Sequence, residues 1–351
     1  MRQILLALAM LVALLVPQAA AQCESAYWPI YAGGSKDSED VRCFIYDPNT
    51  QLIIVGGVTK SDDFAPAPND HGYLFALDLE ANWKWGSFFY NVSYAVTSVD
   101  GCQMSSDGTT LAVAGLGNAQ PLLMDINPID GTFNKFISLD WKDATDTNVP
   151  AYVTYGAIYY DKRDYRDYQP YFYGAFLKDD EMFMLRVRDS GSDLEVDWNY
   201  RFVEYTAAEV AVEKLLNKKE PTFIVPDPKQ QSALYMIGRY RGKGSVIRFN
   251  KRDGSVRWHA QYEQVSRINS VSQAENDDDL FLCGEYQPNE ATTDPDVFDA
   301  TVLQKATIAR MKDDGDVSWI ITASGKHPLY DGTTYNDQDK CMAISYYKEK
   351  E

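Results

Sequence analysis

ALYMIGRYRGKGSVIRFNKRDGSVRWHAQY, residues 233–262, holds the decisive pattern of this chain. Its opening run, Ala233 to Gly238, is too short for an ordinary helix and carries aromatic and branched side chains, which makes it a buried strand. A second apolar strand, Ser245 to Asn250, leads into Asp253-Gly254, where glycine supplies positive φ and aspartate bonds its own backbone. A strand containing Trp258 follows. The same order returns in DLFLCGEYQPNE from Asp279 and ATIARMKDDGDVSWIITAS from Ala306. Earlier copies begin at Cys43 (CFIYDPNTQLIIVGG, then YLFALDLEANWKWGSFF) and at Cys102 (CQMSSDGTTLAVAG, then PLLMDINPIDGTFNKFISL). A more divergent copy starts at Tyr152, with YVTYGAIYYD, PYFYGAF and MFMLRVRDSGSDLEVDWNYRF.

Each copy reads as four short antiparallel strands, A to D, and such a sheet cannot bury both faces alone. Stacking the sheets around an axis buries them and leaves only short edges, so the chain is expected to be an all-β propeller with five recognisable blades. The B-strand glycines Gly56, Gly115, Gly174, Gly238 and Gly284 mark the repeat. Trp85, Trp198, Trp258 and Trp319 lie in D strands, with Phe133 and Phe136 in the second copy. On the outer strand these rings are expected to wedge between neighbouring blades, each indole burying about 150–250 Å².

The ends predict an incomplete sixth blade. Tyr27 to Ala32 resembles the strand around Trp319, and Asp339 to Tyr346 resembles the inner strand around Cys43, so an N-terminal D strand and a C-terminal A strand would close the ring. Strands B and C of that blade are missing from the sequence pattern. Truncation, imperfect closure and pairing across an interface all fit, and an unfinished edge allows self-association. Thr206 to Glu209 has capping-box spacing ahead of an apolar stripe, predicting a short helical insertion near 206–217.

Met1 to Ala21 has a basic start, an apolar run and a small-residue end, the pattern of a cleaved secretory signal. Residues 22–351 then form a single propeller domain, expected to be secreted or extracellular, with the lumen of the secretory route as a further possibility. The net charge of −18 becomes −19 when Arg2, the only charged residue of the leader, is removed. That surface repels nucleic-acid phosphates and anionic lipid, so neither nucleic acid nor membrane insertion is expected. Five cysteines, Cys23, Cys43, Cys102, Cys283 and Cys341, cannot all pair within one chain. Cys43, Cys102 and Cys341 share the start of an inner strand, and Cys43 is a candidate to bond either of the other two.

Chemical motifs are few. The three histidines fall in no HExxH or His/Cys cluster, Gly115-Leu116-Gly117 lacks the context of a dinucleotide fingerprint, and no GxSxG is present. Acidic turns offer hard oxygen ligands, and Asn276, Asp277 and Asp279 are the candidates for a structural calcium. Asn91-Val92-Ser93 is an N-glycosylation acceptor on an exposed connector.

The segments RFNKRDGSVRW, from Arg248, and ARMKDDGDVSW, from Ala309, resemble the propeller repeats of the quinoprotein alcohol dehydrogenase-like superfamily. The resemblance implies a propeller. It also implies that enzymes of the group hold a quinone cofactor centrally with calcium and a catalytic acid, often beneath a vicinal cysteine pair. This chain has no adjacent cysteines and no match for that acid. PQQ is therefore not expected, and a calcium-assisted oxidoreductase is the alternative reading. The leading expectation is a non-enzymatic binding or scaffold protein for an extracellular protein or glycan. Its candidate contact residues are Tyr159, Tyr160, Tyr165, Arg166 and Tyr168, in an unusually aromatic and charged segment where tyrosine and arginine favour recognition.

Overall fold

The computed structural model describes residues 39–61, 71–88, 90–91, 94–117, 120–138, 153–178, 181–202, 220–227, 229–240, 243–273, 279–286 and 305–323. The leader, Tyr27 to Ala32, the 206–217 insertion and the strand-like segment 339–346 lie outside them. Among the described residues every regular element is a strand. Blade 1 comprises β1 (Glu39–Asp47), β2 (Leu52–Thr59), β3 (His71–Leu77) and β4 (Trp83–Phe88). A two-residue β5 (Tyr90–Asn91) precedes blade 2, which holds β6 (Tyr94–Met104), β7 (Leu111–Gly117), β8 (Gln120–Ile126) and β9 (Phe133–Ser138). Blade 3 contains β10 (Val153–Asp161), β11 (Tyr171–Lys178), β12 (Glu181–Asp189) and β13 (Leu194–Phe202). Blade 4 is β14 (Glu220–Pro226), β15 (Ala233–Tyr240), β16 (Lys243–Asn250) and β17 (Val256–Tyr262). Blade 5 is β18 (Arg267–Gln273), β19 (Leu280–Tyr286), β20 (Lys305–Met311) and β21 (Val317–Ala323). In each blade the strands pair antiparallel in sequence order, so the described residues form five blades of a β-propeller.

The second and third strands are buried because alternate residues serve two different seams. Ile54 and Leu74 of blade 1 meet Val113 and Met124 of blade 2, and Ala112 and Leu123 from the other face of blade 2 meet Phe172 and Leu185 of blade 3. Tyr173 and Met184 meet Leu234 and Phe249 across seam 3–4. Tyr235 and Val246 meet Leu280 and Ala309 across seam 4–5.

Three seams are closed by an indole resting on a glycine. A methyl group added to Gly131, Gly254 or Gly315 would fall 2.5, 2.6 or 3.0 Å from the ring of Trp85, Trp198 or Trp258 of the preceding blade. Those glycines have φ of +72°, +71° and +90°, so the turn conformation and the docked ring both demand glycine. Blade 2 has no outer-strand tryptophan, and its seam with blade 3 differs. Nothing lies within 4 Å of a methyl group on the equivalent Gly191, and Lys135 instead bonds Asp189 of blade 3.

The inner strand of every blade carries an irregularity in register, between Val41/Cys43, Val99/Gly101, Thr154/Gly156, Pro221/Phe223 and Ile268/Ser270. These bulges explain the repeated B-strand glycine. In blades 1, 2 and 5 the carbonyl of Asp40, Ser98 or Arg267 occupies the space where a side chain on Gly57, Gly115 or Gly284 would begin. The register therefore corrects the sequence alignment in two blades. Gly57, not Gly56, is the equivalent residue of blade 1, and Leu177 opposite Thr154 takes the position in blade 3. Gly174 instead leaves room for the Phe176 ring.

Cys43 and Cys102 form a disulfide between the inner strands of blades 1 and 2, with Cα atoms 5.6 Å apart. Adjacent inner strands thus approach closely enough here for a direct bond. This pairing rules out Cys43 as the partner of Cys341.

Candidate functional site

Sheet topology sorts the connections onto two rims. A–B and C–D turns share one rim, while B–C and D–A connections share the other. The four longest connections, 60–70, 139–152, 203–219 and 287–304, all join strand ends at the B–C/D–A rim. On the opposite rim the turns are short and hydrogen-bonded, and the longest is the 162–170 excursion that follows β10.

Strand alternation divides the predicted contact residues. Tyr160 is buried in seam 2–3, 4.6 Å from the Phe172 ring centroid, and burial pushes its hydroxyl up to about 12. Tyr159 points to the other face and packs into seam 3–4 beside Tyr173, where burial also raises it. Both tyrosines are engaged in holding blades together. Tyr165, Arg166 and Tyr168 stand beyond the strand end: Tyr165 is half-buried, Arg166 is exposed, and Tyr168 is 72% exposed. Arg166 lies 5.8 Å from the Tyr165 ring centroid.

A buried polar base fixes this loop. Asp164 is fully buried and its carboxylate accepts from the Tyr173 hydroxyl at 3.0 Å and from the Arg166 backbone N–H at 3.0 Å. Its backbone N–H donates to Gln169, and its carbonyl accepts from the Tyr168 N–H, each at 3.0 Å. Arg186, also fully buried, sits 3.5 Å from the Asp164 carboxylate, stacks 3.4 Å over Tyr171 and donates to the Lys251 carbonyl at 3.3 Å. Lys251 in turn donates to Asp161 at 2.6 Å. Lys162 bonds Asp107 of blade 2, and that hydrogen bond holds the Asp107 carboxyl well below its usual range. Tyr168 closes the loop at φ +58°, a left-handed conformation uncommon for a bulky residue.

The Arg186–Asp164 pair belongs to a repeated device invisible in the sequence reading. In blades 3, 4 and 5 an arginine on the third strand stands opposite the outer-strand tryptophan, as Arg186↔Trp198, Arg248↔Trp258 and Arg310↔Trp319. Each arginine reaches an A–B turn aspartate: Asp164, Asp227 or Asp279. Asp279, a candidate calcium ligand, has its carboxylate 2.5 Å from the Arg310 guanidinium, a cation already in place. Asn276 and Asp277 lie outside the described residues. Among the described residues no group of three or more acidic, histidine or cysteine side chains forms a metal site.

At the inner strands, the bulged residues Arg42 and Asp100 meet across seam 1–2 at 2.5 Å. Ser98 also donates to Asp100 at 2.9 Å. Burial raises the Asp100 carboxyl despite these partners. The donor set does not fit the quinone and calcium of the resembling enzymes: the described cysteine pair joins two blades instead of being vicinal, and Asp100 is occupied by an arginine. Asn91 lies in β5, and its side chain is outside the described set. Cys341 is likewise outside it.

The sequence matches no family model and no curated protein. Among solved structures, the chain is similar to the Dos1 propeller at TM-score 0.45 and 11% identity, over 78% of this chain and 67% of that one. It is similar to Kuenenia stuttgartiensis hydrazine synthase at TM-score 0.46 and 13% identity, over 82% and 68%. It is similar to Drosophila semaphorin 2a at TM-score 0.48 and 11% identity, over 82% of this chain and 51% of that one.

Proposed function

We propose that the chain is an exported, non-enzymatic binding or scaffold protein that contacts an extracellular protein or glycan through Tyr165, Arg166 and Tyr168. One observation carries the reading: Tyr168 is held outward in a left-handed turn whose root, Asp164, is buried and hydrogen-bonded. A strained, exposed aromatic residue on a fixed base is a recognisable feature of binding sites. Little side-chain and loop freedom remains to be lost on association. Tyrosine and arginine offer ring faces and a guanidinium to peptide or sugar. The Cys43–Cys102 disulfide is consistent with an oxidising compartment. The acidic surface disfavours phosphate-rich partners.

A glycan array and an extracellular-protein pull-down, run with wild type and Tyr165→Ala/Arg166→Ala/Tyr168→Ala, test this assignment. The variant is expected to keep its thermal midpoint within about 2 °C, since all three side chains lie beyond the packed strands, and to lose binding at least roughly tenfold. Unchanged binding by the triple variant would remove the contact loop from the account.

A further inference from the structure

The carboxylates of segment 161–170 all have internal partners, and its arginines do not. Asp161, at the root, accepts from Lys251 at 2.6 Å and from the Arg163 backbone N–H at 3.2 Å. Asp164 is buried and accepts from the Tyr173 hydroxyl. Asp167 accepts from the Tyr171 hydroxyl at 2.7 Å and from the Gln169 N–H at 3.1 Å. Lys162 is committed to Asp107 and Thr109 of blade 2. Arg163 and Arg166 remain, both exposed. Among the described residues the Arg163 guanidinium has no hydrogen-bond or ion-pair partner, and the Arg166 guanidinium makes one long bond, from Nε to Asp164 at 3.4 Å, with neither Nη engaged.

The unused hydrogen-bonding capacity of the loop is therefore that of cationic donors, on a chain whose formal charge is −18. Two guanidinium forks on the loop that also presents Tyr168 suit carboxylate oxygens, which accept two parallel N–H bonds from a single fork. Arginine clusters read acidic motifs in peptides by this chemistry. The surroundings limit how far such an anion can extend. The C–D turns on the same rim expose Asp130, Asp193, Asp253 and Asp314, and exposed charges more than about 8 Å apart are largely screened at physiological salt. A short acidic segment confined to the loop meets the arginines alone, whereas a polyanionic glycan long enough to cross the rim also meets those aspartates.

We infer that the partner of this loop is a short acidic peptide segment of another protein, whose carboxylates are held by Arg163 and Arg166. The inference rests on the assignment of the loop as the contact surface, narrows its ligand to one class and adds Arg163 to the contact residues. It runs against the charge of the chain as a whole, which by itself selects basic peptides.

Selection of a random-peptide phage library on the full chain, at physiological salt, reads the ligand class directly. The expected pool is enriched in neighbouring Asp and Glu residues over the input library. A synthetic peptide from that pool should bind at least roughly tenfold more weakly to Arg163→Gln/Arg166→Gln, and equally so when its own acids are replaced by their amides. Arg163→Gln alone, at a side chain without a described partner, should weaken binding by about threefold with an unchanged thermal midpoint. A pool that is basic, uncharged or not enriched at all overturns the inference, as do acidic peptides that bind the arginine variants undiminished. So does a polygalacturonate oligosaccharide that binds through the two arginines more tightly than any selected peptide, which would make the carboxylates a glycan's. Tyr165→Ala/Arg166→Ala/Tyr168→Ala separates this inference from the reading beneath it. Uncharged peptides that fail to bind that variant remove the acidic partner and keep the contact loop, whereas selected peptides that bind it unchanged remove both.

Discussion

Seams 2–3 and 3–4 flank the same blade, yet they are closed by different chemistry. At seam 3–4 the Trp198 indole covers Gly254 and donates to the Lys251 carbonyl at 3.0 Å. At seam 2–3 no indole is present among the described residues, and Lys135 crosses to Asp189 while Gly191 has open space beside it. The positive-φ glycine is common to both turns. Turn geometry therefore calls for glycine by itself, whereas the absence of a side chain becomes a packing requirement only where a ring is docked.

The largest effect should come from removing a docked ring. Trp85 is buried and its indole donates to the Pro128 carbonyl at 2.7 Å. Trp85→Ala is expected to cost about 3–5 kcal/mol in denaturant unfolding. Phe136→Ala, at the seam without an indole, should cost less than about 1 kcal/mol because that ring is already exposed. Similar losses at both sites would erase the distinction.

Glycine substitution sharpens it. Gly254→Ala must accommodate both φ +71° and a methyl group 2.6 Å from Trp198, while Gly191→Ala meets only the conformational penalty at φ +89°. Chemical denaturation should show losses of about 2–4 kcal/mol and about 1 kcal/mol respectively.

A smaller difference separates two docked indoles. In blades 2 and 4 the turn glycine donates four residues back, from Gly131 to Asn127 and from Gly254 to Asn250. That leaves the Pro128 and Lys251 carbonyls to accept from an indole. In blade 5 the turn is tighter: Gly315 donates to Lys312, the carbonyl at the corresponding position, and the buried Trp258 Nε1 has no acceptor. Trp198→Phe should therefore cost about 1 kcal/mol more than Trp258→Phe, which removes a buried donor that was never satisfied. Equal costs from paired unfolding curves would mean that the indole hydrogen bond contributes nothing at seam 3–4.

The smallest expected signal is the pH dependence of seam 1–2. Asp100 has a carboxyl raised above 3.8 by burial. From 3.8 up to its folded-state value, the native chain binds more proton than the unfolded chain, so the contribution of this group to stability falls as pH rises. The thermal midpoint of Asp100→Asn relative to wild type should consequently move in the variant's favour with rising pH across that window. Movement in the opposite direction would show that Arg42 outweighs burial.

Much of this organisation was legible from side-chain period and turn chemistry. The Ala233–Tyr240 and Val256–Tyr262 runs became strands, and Asp253-Gly254 became a turn, because those signals are local. Arg186 and Asp164 were not legible as a pair. Charged residues separated by a strand ordinarily read as surface, and only the stacking of blades buries both. Alternation likewise sends Tyr159 and Tyr160 to opposite seams even though, as a cluster with Tyr165 and Tyr168, they read as one aromatic patch. The identity of the Cys43 partner depended on the spacing of inner strands, which no turn or periodicity encodes.

A double-mutant cycle on Trp198 and Gly254 measures the central claim, that a ring seated on a bare turn locks one blade to the next. With the ring removed, the methyl group of Gly254→Ala has nothing to strike, so its cost in the Trp198→Ala background should fall to about 1 kcal/mol, the value expected at Gly191. An undiminished cost of Gly254→Ala in that background, with the two losses simply adding, would contradict the account.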